Sequence, residues 1–170
     1  MPNVLNPILD RWRLAALAAS AAMLATAHAF ETFGGLAPCT LCLRQREVYW
    51  VAATVAAVGM ILTRLPKGER LRALFNAALG LIFLAGAGVA IYHAGAEWKF
   101  WPGPTACSGG GGASAEALSS LMQGAKIRPP ACDEPAWVFL GLSMAGWNAL
   151  ASLGLAGLSL AAVMRERSKR

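Results

Sequence analysis

Four long stretches of this chain carry no Asp, Glu, Lys or Arg: residues 14–30, 48–63, 73–96 and 136–164. A helix needs ~20 apolar residues to cross a bilayer, with about 17 as the lower limit. The third and fourth stretches exceed that length. The first is at the limit and the second falls slightly short. Both extend through uncharged or snorkelling neighbours, residues 33–37 for the first and 41–43 with Arg44 for the second. A soluble helical bundle would give each helix a polar, charged face, and none of these stretches has one. Charged residues make up 14% of the chain, against roughly 25% in soluble domains. The expectation is an all-α membrane protein, a four-transmembrane-helix bundle forming one domain over residues 1–170. Its spans lie at about 14–32, 44–63, 73–95 and 136–164, and its outer loops at about 33–43 and 96–135.

The net charge of +6 invites a nucleic-acid reading, but its distribution opposes one. Arg11 and Arg13 precede the first span. Arg64, Lys67, Arg70 and Arg72 separate the second from the third, and Arg165, Arg167, Lys169 and Arg170 follow the fourth. Ten of the 15 basic residues therefore sit in two short tails and one short loop. This is the positive-inside pattern, and it predicts both termini in the cytoplasm. No basic stripe interleaved with aromatics is left for nucleic acid. Arg11, Arg13, residues 14–24 and the following "ATAHA" also fit a secretory signal. Cleavage there would remove one helix and leave both outer loops in place; the stretch is read here as a retained span.

That topology puts all four cysteines outside. Cys39 and Cys42 lie in the first outer loop, and Cys107 and Cys132 in the second. In a bacterium this is the oxidising periplasm, where disulfides persist. An even count suggests two disulfides, with three possible connectivities. A Cys39–Cys42 bond closes too small a ring to staple much, and such bonds are more often redox-active. A Cys107–Cys132 bond reads, taken alone, as a structural staple. A four-cysteine zinc site usually shows two close-spaced pairs; only one pair is close here, so no metal is expected.

Pro38 stops a helix from running into the pair from the N-terminal side. A helix starting near Cys39 to Leu41 would direct its positive end at the sulfurs and favour a thiolate. Arg46 follows Cys42 by one helical turn, on the same face and about 6 Å along the axis, where a guanidinium favours the anion further. Arg44 reads instead as an interfacial anchor beside Tyr49 and Trp50. A pair that oxidises strongly needs an acceptor that oxidises it in turn. At bilayer-interface height a quinone suits that role: it is lipid-soluble and takes up two electrons and two protons.

"PCTLCLRQR", residues 38–46, closely resembles the first-loop motif of the disulfide bond formation protein B (DsbB) family. "YHAGAEWKFWPGPTAC", residues 92–107, is similar to that family's approach to the second outer loop. The resemblance extends over nearly the whole chain: four spans, cytoplasmic termini and a second cysteine pair in a longer second loop. It implies an inner-membrane protein that re-oxidises a DsbA-like periplasmic thioredoxin-fold partner and passes the electrons to ubiquinone or menaquinone. It also implies roles. Cys107 is attacked by the partner, Cys132 passes electrons to Cys39, and Cys42 is the thiolate beside the quinone. Arg46 matches a quinone-interacting arginine, and His93 a position near the quinone. Without the resemblance, His93 reads as an interfacial or hydrogen-bonded histidine. The run of four glycines at 109–112 departs from the family pattern and puts in question how rigidly a partner is gripped.

In the second loop, "WPGP" at 101–104 and "RPP" at 128–130 give stiff, extended approaches around a glycine-rich hinge. Residues 113–122 read as a short helix, long enough to skim the membrane and too short to cross it, with simple closure of the loop as the equal alternative. Gly80, Gly86, Gly88, Gly146, Gly154 and Gly157 suggest close helix packing. Asn76 and Asn148 are assigned hydrogen bonds between helices or near the interface, and no chemistry. The alternatives are a vitamin K epoxide reductase-like quinone/thiol enzyme, disfavoured by motif order and by the arginine after the first pair, and a non-enzymatic membrane module whose disulfides only staple its loops.

Overall fold

A computed structural model describes residues 5–66, 68–104 and 132–169. Cys107, the glycine run at 109–112 and the short helix expected at 113–122 lie outside the described residues. Four long helices dominate: α2 (Trp12–Thr32), α3 (Thr40–Leu62), α4 (Arg72–Glu97) and α5 (Met144–Ser168), preceded by a short α1 (Leu5–Asp10). α4 packs most extensively on α5, and α3 lies between α2 and α4. Three of the four, α2, α4 with the 3-10 turn before it, and α5, are long and apolar enough to cross a membrane. The polar run Gln45, Arg46 and Glu47 at the start of α3 lowers its hydropathy, so it is not among them.

The core joins the four long helices through Trp12, Ala16 and Leu24 of α2, Tyr49, Ala52 and Ala56 of α3, Leu79 and Phe83 of α4, and Ala162 of α5. Alanines on α3 and glycines on α3 and α4 let these two helices approach closely. A Cβ on Gly86 would meet Val48 Cγ1 at 2.8 Å, and one on Gly59 would meet the Phe75 ring at the same distance. Gly88, Gly154 and Gly157 have no such neighbour within 4 Å among the described residues.

The helix ends share a polar network at the end of the bundle away from the cysteines. Asp10 receives Arg165 Nε at 2.8 Å and Nη2 at 3.0 Å, and it also pairs with Lys169. These hydrogen bonds hold the Asp10 carboxyl well below its ordinary range. Trp12 Nε1 donates to Ser159 Oγ at 3.0 Å, and Arg13 Nη1 to Asn76 Oδ1 at 3.2 Å. The start of α2 is thereby tied to both α4 and α5.

The uncharged stretch at 136–164 is not helical throughout. Val138–Phe139 (β1) pairs antiparallel with Leu142–Ser143 (β2), and α5 begins only at Met144. The two-residue turn has φ of 50° at Leu140 and 78° at Gly141, the pair of positive φ values that a tight hairpin needs. Ser143 then caps α5 by accepting from the Gly146 amide at 3.1 Å. Trp137 packs on Phe30 with ring centroids 5.2 Å apart, which anchors the hairpin to the end of α2.

Candidate active site

The cysteine pair sits where α3 begins. Cys39 is the N-cap residue, with extended backbone at φ −78° and ψ 171°, and its Sγ accepts from the Cys42 amide at 3.2 Å. A sulfur thus takes the position that a Ser or Asp oxygen usually fills. Cys42 lies one turn in, and the two sulfurs are 2.7 Å apart as free thiols. They differ in exposure: Cys39 is buried and Cys42 half-buried. The hydrogen bond from the Cys39 thiol pushes the Cys42 thiol down to about 7, against the opposing effect of burial. The Cys42 thiolate and burial together raise Cys39. Arg46 also lowers Cys42 electrostatically, but less than the Cys39 thiol does.

Arg46 turns away from the sulfurs toward α2. Its Nη1 donates to Glu31 Oε2 at 2.5 Å and its Nη2 to the Ala27 carbonyl at 3.2 Å, with 15% of the side chain exposed. Arg44 is two-thirds exposed and pairs with Glu47 at 2.9 Å. That exposed pair borders a cavity of about 630 Å³ between α3 and α4, lined otherwise by apolar residues such as Val48, Ile82 and Val89.

His93 projects from the outer end of α4 into the space beside Cys39, with Nε2 3.6 Å from Cys39 Sγ. Its Nδ1 lies 2.8 Å from Gln45 Nε2. The Gln45 amide is oriented by a chain of buried groups. Tyr49 Oη donates to Asn148 Oδ1 at 2.5 Å, and Asn148 Nδ2 donates to Gln45 Oε1. Gln45 therefore presents its N–H to Nδ1, which leaves the proton of a neutral imidazole on Nε2, facing Cys39. Glu97 lies one turn beyond His93 with Oε1 3.6 Å from Nε2, and both side chains are 5% exposed.

Cys132 completes the cluster. It is fully buried, packs with Cys39 and Leu41, and has Cys42 against it. It is disulfide-bonded, and its partner is neither Cys39 nor Cys42, which are free thiols. Its neighbour Asp133 is held by Lys99 Nζ at 2.8 Å, an ion pair that ties the returning loop to the end of α4 and lowers the Asp133 carboxyl. Trp101 also folds back there, donating its Nε1 to the Tyr92 carbonyl at 2.9 Å and lying where a side chain on Gly95 would be.

Of the expected site residues, Cys39, Cys42, Cys132 and His93 are brought together, and Arg46 is adjacent but engaged with Glu31. Gln45, Tyr49, Glu97 and Asn148 were not anticipated. Glu97 and Tyr49 had a signal, the one-turn spacing from His93 and from Gln45. Asn148 had none, because its contact with Gln45 spans 103 residues. It bonds between helices as expected, yet it also orients the group beside the histidine.

Comparison with known proteins identifies a family. The family model described as disulfide bond formation protein DsbB matches residues 10–162. A disulfide bond formation protein B from Methylococcus capsulatus is 33% identical over 82% of this chain and 85% of its own length. One from Dechloromonas aromatica is 29% identical over 85% and 86%. Disulfide bond formation protein B 2 from Pseudomonas entomophila is 28% identical over 92% of each chain. No solved structure matches. A dithiol at a helix head, a third cysteine packed on it and a match over nearly the full length lead to one conclusion: the chain belongs to the DsbB family of disulfide bond formation proteins.

Proposed function

We propose that this protein re-oxidises a DsbA-like thioredoxin-fold partner by a two-stage disulfide relay and delivers the electrons to a membrane quinone. The observation that carries this reading is the packing of buried Cys132 on the Cys39–Cys42 pair. The partner's thiolate attacks Cys107, forms a mixed disulfide and releases Cys132 as a thiolate. Cys132 attacks Cys39 of the oxidised pair and releases Cys42 as the leaving thiolate. The partner's second thiol then resolves the mixed disulfide and leaves with a disulfide, and the freed Cys107 thiolate attacks Cys132, restoring their bond and releasing Cys39. The differing exposure suits this order: Cys39 faces Cys132 inside the protein, while half-buried Cys42 is the sulfur an acceptor can approach. A low thiol pKa makes Cys42 a good leaving group.

A bound quinone supplies a sink for two electrons and two protons as the Cys39–Cys42 dithiol closes. Two features fit it: the His93 Nε2–H lies beside Cys39, with the Arg46 guanidinium one turn after Cys42 and held by Glu31, and the Cys42 sulfur at the head of α3 is only half-buried. Arg46 would hold a quinone oxygen, with Glu31 fixing the guanidinium. His93 would present its Nε2 proton, held on that nitrogen by the Gln45 amide. We infer that α3 crosses the membrane with the other three helices, that the cysteines face the periplasm and that both termini are cytoplasmic, since the basic residues gather at the opposite end.

Protein quenched in mid-turnover with an alkylating agent and mapped by peptide mass spectrometry should contain a Cys39–Cys132 disulfide. Turnover without that species contradicts the relay order. Arg46→Met should lower quinone reduction by about 10²-fold, the scale on which a preorganised donor acts, whereas Arg44→Met should change it less than about twofold, as befits an exposed ion pair. Steady-state quinone absorbance separates the two, and equal losses would remove Arg46 from the site.

A further inference from the structure

We propose that the reduced protein holds a thiophilic divalent cation of the zinc class between Cys39, Cys42, His93 and Glu97. This inference rests on reading Cys39–Cys42 as a reversibly oxidised pair, because the site exists only while both are thiols. The ligand atoms of Cys39, Cys42 and His93 all lie within 4.8 Å of one another. Bonds of about 2.3 Å to sulfur and 2.0–2.1 Å to nitrogen put tetrahedral ligands roughly 3.5 Å apart, and Cys39 Sγ already stands 3.6 Å from His93 Nε2. The two sulfurs are closer than that, and a rotation of the half-buried Cys42 side chain opens them.

The fourth ligand is the second, independent observation. Glu97 is buried and its carboxyl is hydrogen-bonded by Ser143. Its Oε1 lies 3.6 Å from His93 Nε2, outside the 4.8 Å cluster of the other three ligand atoms, and its Oε2 has no hydrogen-bond partner among the described residues, so a rotation of the side chain toward the sulfurs completes the set. A buried carboxylate oxygen without a donor is costly, and a cation beside it removes that cost. His93 and Glu97 stand four residues apart on α4, the spacing that places two ligands on one helix face.

The surroundings accommodate the ion. Binding through Nε2 moves the imidazole proton to Nδ1, which then needs an acceptor. A half-turn of the Gln45 amide supplies its oxygen. Asn148 turns in step, and the Tyr49 hydroxyl, which also contacts Ser152 Oγ at 3.0 Å, reverses from donor to acceptor. Two thiol protons leave to solvent as two sulfur–metal bonds form. The bound ion holds the pair reduced and blocks turnover, and closure of the disulfide removes two of its ligands. This set differs from a four-cysteine site, since it uses neither Cys107 nor Cys132.

The test titrates the full-length detergent-solubilised protein with Co²⁺, then Zn²⁺, with Cys39–Cys42 reduced and oxidised. Wild type is compared with a Cys107→Ser/Cys132→Ser double variant. One Co²⁺ per reduced chain, with thiolate-to-metal charge-transfer bands and displacement by one Zn²⁺, is expected in both proteins, and none in the oxidised form. Glu97→Gln and His93→Gln should each weaken Zn²⁺ binding by at least about tenfold, no less than loss of an outer-shell partner costs a metal site. Binding to oxidised protein, loss of binding in the double variant, wild-type affinity in Glu97→Gln or His93→Gln, or no binding at all would overturn the proposal. Redox cycling of wild type in metal-free buffer is measured alongside. If Cys39–Cys42 does not cycle there, the relay reading itself falls; if it cycles and no metal binds, only the metal site falls.

Discussion

Cys42→Ala is expected to reduce quinone-dependent oxidation of the partner by at least about 10³-fold, the scale seen when a covalent participant is removed. The loss should fall on one half of the relay only. Cys39 has no disulfide to offer Cys132 in this variant, so no leaving thiolate forms and no electrons reach the acceptor. Cys107 and Cys132 are untouched, and a single exchange with the partner should still proceed. Quinone absorbance reads the first effect, and one turnover of partner thiol labelling reads the second. A variant that still reduced quinone at a tenth of the normal rate would show that Cys42 is not the sulfur at the acceptor. The half-buried position of Cys42 and its depressed thiol pKa, beside a Cys39 that is buried and raised, are the structural grounds for this asymmetry.

Cys132→Ala should have the opposite signature. Cys107 is then a free thiol. Its thiolate attacks the disulfide of oxidised partner, forms a mixed disulfide and releases the partner's second thiol, and no Cys132 is left to displace the partner or carry electrons inward. A covalent partner-linked species should become the main form on a non-reducing gel, and quinone turnover should drop by about 10³-fold. The fully buried position of Cys132 against Cys39 makes it the only short internal route among the described residues. No adduct, with turnover intact, would mean that the partner engages the Cys39–Cys42 pair directly.

The uncharged stretches announced the long helices because removal of charge over ~20 residues leaves few alternatives to membrane helices. The head of α3 was legible for a local reason: Pro38 ends what precedes, and a cap follows at once. The Glu97 position was legible in principle, one turn after His93. What stayed hidden depended on distant partners or on unusual backbone. Nothing in "VFLGLS" forces a hairpin, since Leu140 is a poor choice for a positive φ and the uncharged run reads straight through it. By its spacing, Arg46 adds its charge to the helix end in favouring the Cys42 thiolate. The structure gives that role first to the Cys39 thiol and ties the guanidinium to Glu31, a residue of another helix. Asn148 looked like a packing asparagine because its effect on His93 passes through Gln45, and no spacing rule connects α5 to α3.

Electron flow from the outer cysteine pair through the Cys39–Cys42 pair to a quinone is the central claim, and stoichiometry tests it most directly. A catalytic amount of oxidised protein, free of bound quinone and far below the quinone in concentration, is mixed with excess reduced DsbA-like partner and a measured amount of quinone, and partner disulfide and quinone absorbance are followed together. The account predicts one quinone consumed for each partner disulfide formed, with oxidation stopping when the quinone is spent. Continued oxidation of the partner after the quinone is gone, or quinone loss without partner disulfide, would contradict it.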